Sequence, residues 1–223
     1  MKLAKDRLDI GLITDDRAMI EFMASEVGLG DPELLPVTKA MTQHRFDVDG
    51  SVVKVNLVEQ LDATGRSGYS EIQIADARAS AASLLVGPDE VRVRVAPPGD
   101  DGIDQLGVRF SVPDLAAAQH YFGHVLEWEV EAERVRLGAT VIILEEHAEA
   151  PAAVMMPVRG WTYLTVQIHD CDAETSAVLE RGATLARPAV TMGEVARFSM
   201  VADRWGNQLE LSQRASLTGP IRA

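Results

Sequence analysis

Four times along this chain a short strand-like run of apolar residues is followed by an acidic residue and then by a stretch that can be helical. The first run is Leu8–Thr14, followed by Asp15-Asp16. In the next stretch Met19, Phe22, Met23 and Val27 recur at helical spacing, with an aspartate as N-cap and Gly28 as terminator. A loop through Pro32 and Pro36 leads to two alternating runs, Met41–Val48 and Ser51–Glu59, joined at Asp49-Gly50, which is a hairpin signal. The second run begins at Gly68. It is followed by Ala77–Leu85, read as a short helix, and by the alternating strand Asp89–Ala96. The third is Leu106–Val112, capped by Asp114, with Leu115, Ala118, Phe122 and Val125 as one helical stripe. Two strands follow, Glu129–Leu137 and Thr140–Glu146, joined at Gly138-Ala139. The fourth runs from Gly160 to Asp170 and into a helix closed by Gly182.

The chain then finishes on a hairpin, Phe198–Gln213. Asp203-Arg204-Trp205-Gly206-Asn207 supplies its turn chemistry. In its last strand Leu209 and Leu211 alternate with Gln208, Glu210 and Ser212. If the leucines face packed helices, Glu210 faces the hollow of a curved sheet, where a carboxylate needs a cation, a donor or a proton. The Gly-aromatic-hydroxyl openings at Gly68 and Gly160 and their Ile-x-Asp endings echo each other, which supports duplicated units. The expected fold class is therefore α+β, with tandem βαβββ modules forming curved antiparallel sheets around clefts. The breaker-rich segment Pro97–Gly102 sets the expected boundary between a domain of residues 1–104, whose second module is short, and one of residues 105–223.

Composition narrows the partners. The 34 acidic and 21 basic residues give a net charge of −13, which disfavours nucleic acid and anionic membrane surfaces. No apolar run approaches the roughly 20 residues of a membrane span, and the first residues lack the pattern of a secretory signal. The single cysteine, Cys171, forms no intramolecular disulfide, which suits the cytoplasm. A small organic molecule is the expected partner. A homodimer and an internally complete monomer both fit four modules.

The segments FSVPDLAAAQHYF, VQIHDCDAETSAVLERGA and MVADRWGNQLELSQ resemble the vicinal oxygen chelate superfamily, which includes glyoxalase I, bleomycin-resistance proteins and extradiol dioxygenases. The resemblance covers residues 105–213 well and 8–104 more loosely. It implies that Glu210, three residues after Gly206-Asn207, stands where the family has a metal-ligating carboxylate. It further implies a ligand, often His, at the start of each module. The corresponding residues here are Asp9, Tyr69, Gly107 and Tyr163, and the third closing strand offers Ile142 or Ile143. With Glu210 alone in place, no metal and no other cofactor is expected in residues 105–213.

What the strand periodicity leaves is a lined cleft: Tyr163, Thr165 and Gln167 from the fourth segment, Gly107, Arg109 and Ser111 from the third, and Gln208, Glu210 and Ser212 from the closing strand. Glu210, Tyr163 and Arg109 are the candidate catalytic residues: the carboxylate moves a carbon-bound proton while the phenol and guanidinium hold developing negative charge. Arg109, Ser111, Thr165, Gln167, Gln208 and Trp205 are the candidate ligand contacts. Arg109 and Glu210 also read as an internal ion pair. The enzyme reading is a metal-independent isomerase, lyase or cyclase using enolate chemistry. A non-catalytic, antibiotic-binding or resistance protein is the alternative, and a divalent-metal dioxygenase the third. His120 and His124, four apart, fall opposite the apolar stripe and read as solvent-facing. His169, His44 with Glu71, and Cys171 at a helix start, where the macrodipole lowers a thiol pKa, are lesser candidates.

Overall fold

The computed structural model describes residues 1–221. The first unit contributes β1 (Asp9–Thr14), α1 (Ala18–Glu21), β2 (Glu33–Thr38), β3 (Met41–Val48) and β4 (Ser51–Val58). The second contributes β5 (Tyr69–Ala75), β6 (Ser83–Val86) and β7 (Arg92–Ala96). The third holds β8 (Leu106–Val112), α2 (Leu115–His120), β9 (Glu129–Glu131), β10 (Arg134–Leu137) and β11 (Thr140–Glu146). The fourth holds β12 (Gly160–Gln167), α3 (Cys171–Glu180), β13 (Thr184–Met192), β14 (Ala196–Ala202) and β15 (Gln208–Arg214).

These strands form two sheets, and the way they pair fixes where a site can be. The eight-stranded sheet has the order β13-β14-β15-β12-β1-β4-β3-β2, and the seven-stranded sheet the order β6-β7-β5-β8-β11-β10-β9. The first unit is thus joined to the fourth through antiparallel β1 and β12, and the second to the third through antiparallel β5 and β8. This corrects the expectation that neighbouring units share a hollow. Residues 1–104 and 105–223 each supply strands to both sheets, and the proposed boundary falls between β7 and β8 of one sheet.

One hydrophobic cluster takes side chains from both sheets and all the principal helices, including Leu12, Phe22, Val55, Ile72, Phe110, Phe122, Leu164 and Leu211. Burying this apolar surface is the main force that holds the two sheets together. Two helix starts follow the sequence reading: Asp114 accepts from Ala117 N at 2.9 Å and Asp170 from Ala173 N at 3.0 Å, whereas the N-cap of α1 is Arg17, with Asp16 before it accepting from Ala18 N at 2.9 Å. Both α1 and α2 continue into a π-helical turn, over Phe22–Glu26 and Tyr121–Val125. No helix among the described residues is long and apolar enough to cross a membrane.

Three local expectations change. The stretch read as a helix in the second unit is a turn at Asp76 followed by the edge strand β6. Its alanines favour helix, but pairing Ser83–Val86 with β7 satisfies the backbone there. The Pro32–Pro36 loop contains the edge strand β2, where Pro36 is tolerated because no second neighbour needs its N–H. Glu129–Leu137 is a hairpin, β9 and β10, turning at Ala132 with φ 52°.

A candidate small-molecule site in the eight-stranded sheet

On β15 the alternation holds. Leu209 and Leu211 are buried in the core, and Glu210 turns to the opposite face. That face is the hollow of the eight-stranded sheet, a cavity of about 480 Å³. Its polar wall is made by Gln43, Lys54, Asn56, Tyr163, Gln208 and Glu210. Its apolar wall comes from Leu35, Met41, Met156, Met192, Phe198 and Met200. The register explains the convergence: Tyr163 pairs with Gln208 and Thr165 with Glu210 across β12 and β15, while Gly11 pairs with both Tyr163 and Lys54 across β1.

Gly11 is what admits the tyrosine. A Cβ at this position would lie 2.3 Å from Tyr163 Cζ, so the phenol ring occupies the space of the missing side chain. The ring is buried, and a directed chain of hydrogen bonds reaches its oxygen. Arg45 Nη1 donates to Gln43 Oε1 at 2.8 Å, Gln43 Nε2 donates to Asn56 Oδ1 at 2.9 Å, and Asn56 Nδ2 donates to Tyr163 Oη at 3.0 Å. Both ends fix the direction. Arginine only donates, and the Leu12 carbonyl, which accepts from the same Asn56 nitrogen at 2.9 Å, only accepts. The phenol oxygen is therefore used as an acceptor, and its O–H is left to donate elsewhere. Burial, and then the nearby Glu210 carboxylate, hold this phenol well above its ordinary pKa, so it is neutral.

Beside it Lys54 crosses the floor. Its buried Nζ donates to Thr165 Oγ1 at 2.7 Å and to Glu210 Oε1 at 3.3 Å, and lies 5.5 Å from the centre of the Tyr163 ring. Glu210 thus finds its cation within the protein. The metal that the vicinal oxygen chelate resemblance implies at Glu210 does not fit these residues. An ammonium stands beside the carboxylate and would repel a second cation, and the adjoining positions are Gly11, Asn56, Tyr163 and Thr165. Among the described residues no group of three or more His, Cys, Asp or Glu side chains is arranged to hold a metal ion.

The predicted site residues divide between the two sheets. Glu210, Tyr163 and Gln208 line one cavity, as Ser212 does. Thr165 lies under Lys54 as its acceptor, and Gln167 donates to buried Asp9 at 3.0 Å, so both position the floor. Arg109 is on β8 in the other sheet and meets Glu71, Asp101 and Glu145, not Glu210. The expected ion pair with Glu210 is not formed, and Arg109 lies outside the hollow that Glu210 lines, because β8 pairs with β5 rather than with the fourth unit. There Glu71 is also held by Arg92 at 3.2 Å and Arg94 at 2.9 Å, so three guanidinium groups surround this buried carboxylate. Ser111, on the same strand, borders a separate groove between Tyr69, Arg92 and Trp161. Trp205 packs in the core with Arg204 over its ring and does not line the cavity.

The lesser candidates resolve in the same way. His120 and His124 are exposed and stack on each other with centroids 4.8 Å apart. His44 pairs with Val55 on the face away from the cavity, and Glu71 belongs to the other sheet. His169 is exposed beyond β12. Cys171 is buried, its thiol donating to Leu211 O at 3.6 Å, and burial raises its pKa where a helix start was expected to lower it.

Sequence reasoning missed Gly11, Gln43, Lys54, Asn56 and Arg214. A signal for two of them was present: Lys54 and Asn56 interrupt Val53, Val55 and Leu57 at every second position, as hollow-facing polar residues do.

Four such units, three of them with a helix after the first strand, paired in this manner around curved sheets give the vicinal oxygen chelate fold, and this chain has it. In particular it superposes on a point mutant of glyoxalase I from Zea mays with a TM-score of 0.69 at 12% identity, over 92% of this chain and 94% of that one. For Zea mays glyoxalase I itself the TM-score is 0.63 at 12% identity, covering 93% and 92%. A member of the glyoxalase/bleomycin resistance protein/dioxygenase superfamily from Sphaerobacter thermophilus matches 48% of this chain over 94% of its own, with a TM-score of 0.39 and 18% identity. By sequence, no protein-family model and no curated protein matches.

Proposed function

We propose that this protein binds a small organic molecule in the hollow of the eight-stranded sheet and acts on it by metal-independent proton transfer, as an isomerase, lyase or cyclase of enolate type in a reducing cytoplasm. The observation that carries this reading is the meeting of a carboxylate, an ammonium and a donating phenol, from Glu210, Lys54 and Tyr163, on the polar wall of a cavity whose other wall is apolar. A substrate carbonyl oxygen accepts from the Tyr163 O–H and from the remaining N–H of Lys54. Glu210 takes a proton from the adjacent carbon, and the electron pair moves to the oxygen, giving an enolate between these two donors. Return of the proton from Glu210 to a different carbon completes an isomerisation. Loss of a leaving group from the enolate completes a lyase step.

Binding without chemistry is the second reading. It is favoured by the Lys54–Glu210 pair, in which the carboxylate is already engaged by an ammonium at 3.3 Å. Solvent-deuterium exchange separates the two. Aryl ketones and 1,3-diketones incubated with the protein in heavy water should gain deuterium at the carbon beside the carbonyl, by proton NMR. Glu210→Gln should abolish that gain and spare affinity. Binding with no exchange in the wild type would leave the non-catalytic reading in its place.

A further inference from the structure

The charge of the cavity is opposite to that of the protein. Four charged side chains line it: Lys54, Arg187 and Arg214 are cationic and Glu210 is anionic, in a chain of net charge −13. Lys54 and Glu210 offset each other at 3.3 Å. Arg187 lies with its guanidinium 5.3 Å from the centre of the Phe198 ring, and among the described residues no carboxylate is within ion-pairing distance of it. Arg214, at the end of β15, likewise has no carboxylate partner and no side-chain hydrogen bond among the described residues, although it is half-buried.

Its surroundings add to that imbalance. Arg45 is its cationic neighbour and is already committed, to Glu33 at 3.2 Å and to Gln43 at 2.8 Å. Asp9 is taken by Lys5, Val52 N and Gln167, and Glu210 by Lys54. Among the described residues the Arg214 guanidinium thus has five donors and no protein acceptor, which leaves them free for an acceptor brought by a ligand. Solvation loss already pulls Arg214 below the ordinary guanidinium pKa, with Arg45 adding to it.

We propose that the cavity selects an organic anion: Arg214 takes a carboxylate or comparable acidic oxygen group of the ligand, while the ligand's apolar body lies along Phe198, Met200 and Met192 towards Tyr163. Arg214 and Glu210 are four residues apart on one face of β15, about 13 Å along the strand. The anionic group therefore sits at one end of the ligand, away from the oxygen that meets Tyr163. A planar acid of this length, with an enolisable carbonyl at its far end, matches both ends. This rests on the small-molecule reading above and narrows the class of molecule.

The test uses two fluorescent probes of the same ring system, the anionic 8-anilinonaphthalene-1-sulfonate and the neutral N-phenyl-1-naphthylamine. The wild type should bind the sulfonate roughly ten- to hundredfold more tightly, and Arg214→Met should remove that preference, as loss of a charge-assisted contact does. Arg214→Lys should restore part of it, and the surface variant Arg78→Met should leave it unchanged. Ala186→Trp, which fills the mouth from an exposed position, should weaken both probes. Equal affinity for the two probes, with both lost in Ala186→Trp, would overturn the anion preference and leave the small-molecule reading standing. Binding of neither probe, or binding of both that Ala186→Trp does not weaken, would overturn the two together. Circular dichroism of each variant ties these readings to folded protein.

Discussion

Lys54 and Glu210 form a half-buried ion pair, 3.3 Å between Nζ and Oε1, on the floor of the hollow of the eight-stranded sheet. The pair comes from the two units that the sequence places farthest apart, and it joins β4 to β15 across β1 and β12. Removing one partner leaves the other without compensation. Lys54→Met should therefore destabilise the fold by about 1–3 kcal/mol. Adding Glu210→Leu to that variant should recover most of the loss. Urea denaturation of the two single variants and the double one checks this, and a double variant no more stable than Lys54→Met would show that the pair is not coupled.

Gly11→Ala tests the seat of Tyr163. Its new Cβ would fall 2.3 Å from Tyr163 Cζ, so the ring must leave its place. Overpacking of this kind costs about 1–3 kcal/mol. Because the phenol leaves the Asn56 relay, proton exchange into carbonyl probes should fall as well. Pairing it with Tyr163→Ala should restore stability but not exchange. An unchanged melting temperature for Gly11→Ala would contradict the packing.

Much of this was legible in the sequence, and what was not has a physical reason. The alternation of Leu209 and Leu211 with Glu210 set the direction of the carboxylate because a strand has only two faces. Asp114 and Asp170 marked helix starts because an unpaired N–H at the first turn needs an acceptor. The partnering of units is different. Every unit has the same local pattern, so nothing in the third segment says whether it pairs with the second or the fourth, and Arg109 was assigned to the wrong hollow. The floor residues Lys54 and Gly11 acquire meaning only once β1 and β4 lie beside β12.

Arg109→Met should then separate the two hollows. It removes contacts to Glu71, Asp101 and Glu145 and should cost about 1–3 kcal/mol, since Glu71 keeps Arg92 and Arg94. Affinity for naphthalene-type probes should not change. A loss of probe binding in a folded Arg109→Met protein would place the site in the seven-stranded sheet.

Stability at acid pH carries a signature of Asp15, which Arg159 holds at 2.7 Å and whose pKa falls from 3.8 to about 2, chiefly through that hydrogen bond. The folded value lies below the unfolded one. Its contribution is thus complete above the unfolded value and is lost as pH falls through about 2. The gap in urea midpoint between wild type and Asp15→Asn should be constant near neutrality and narrow as the pH drops through that window. Asp203, whose pKa burial raises, acts with the opposite sign, and its ionised form costs stability that acid restores. A gap that widens for Asp15 as pH falls would contradict the assignment.

Cys171 should behave as a core residue. Its thiol is fully enclosed and its pKa is raised by burial, so a disulfide-exchange reagent should react only as fast as the protein opens. Reaction at the rate of a free thiol in native buffer would contradict this.

The location of the site is the claim on which the function rests, and amide-detected NMR of the intact chain measures it directly. Titrating the naphthalene sulfonate and the carbonyl probes should shift the amides of Gly11, Lys54, Tyr163, Glu210 and Arg214 together, with a single saturation curve, while Glu71, Gly107 and Arg109 stay still. Shifts that gather instead around Glu71 and Arg109 would contradict the account.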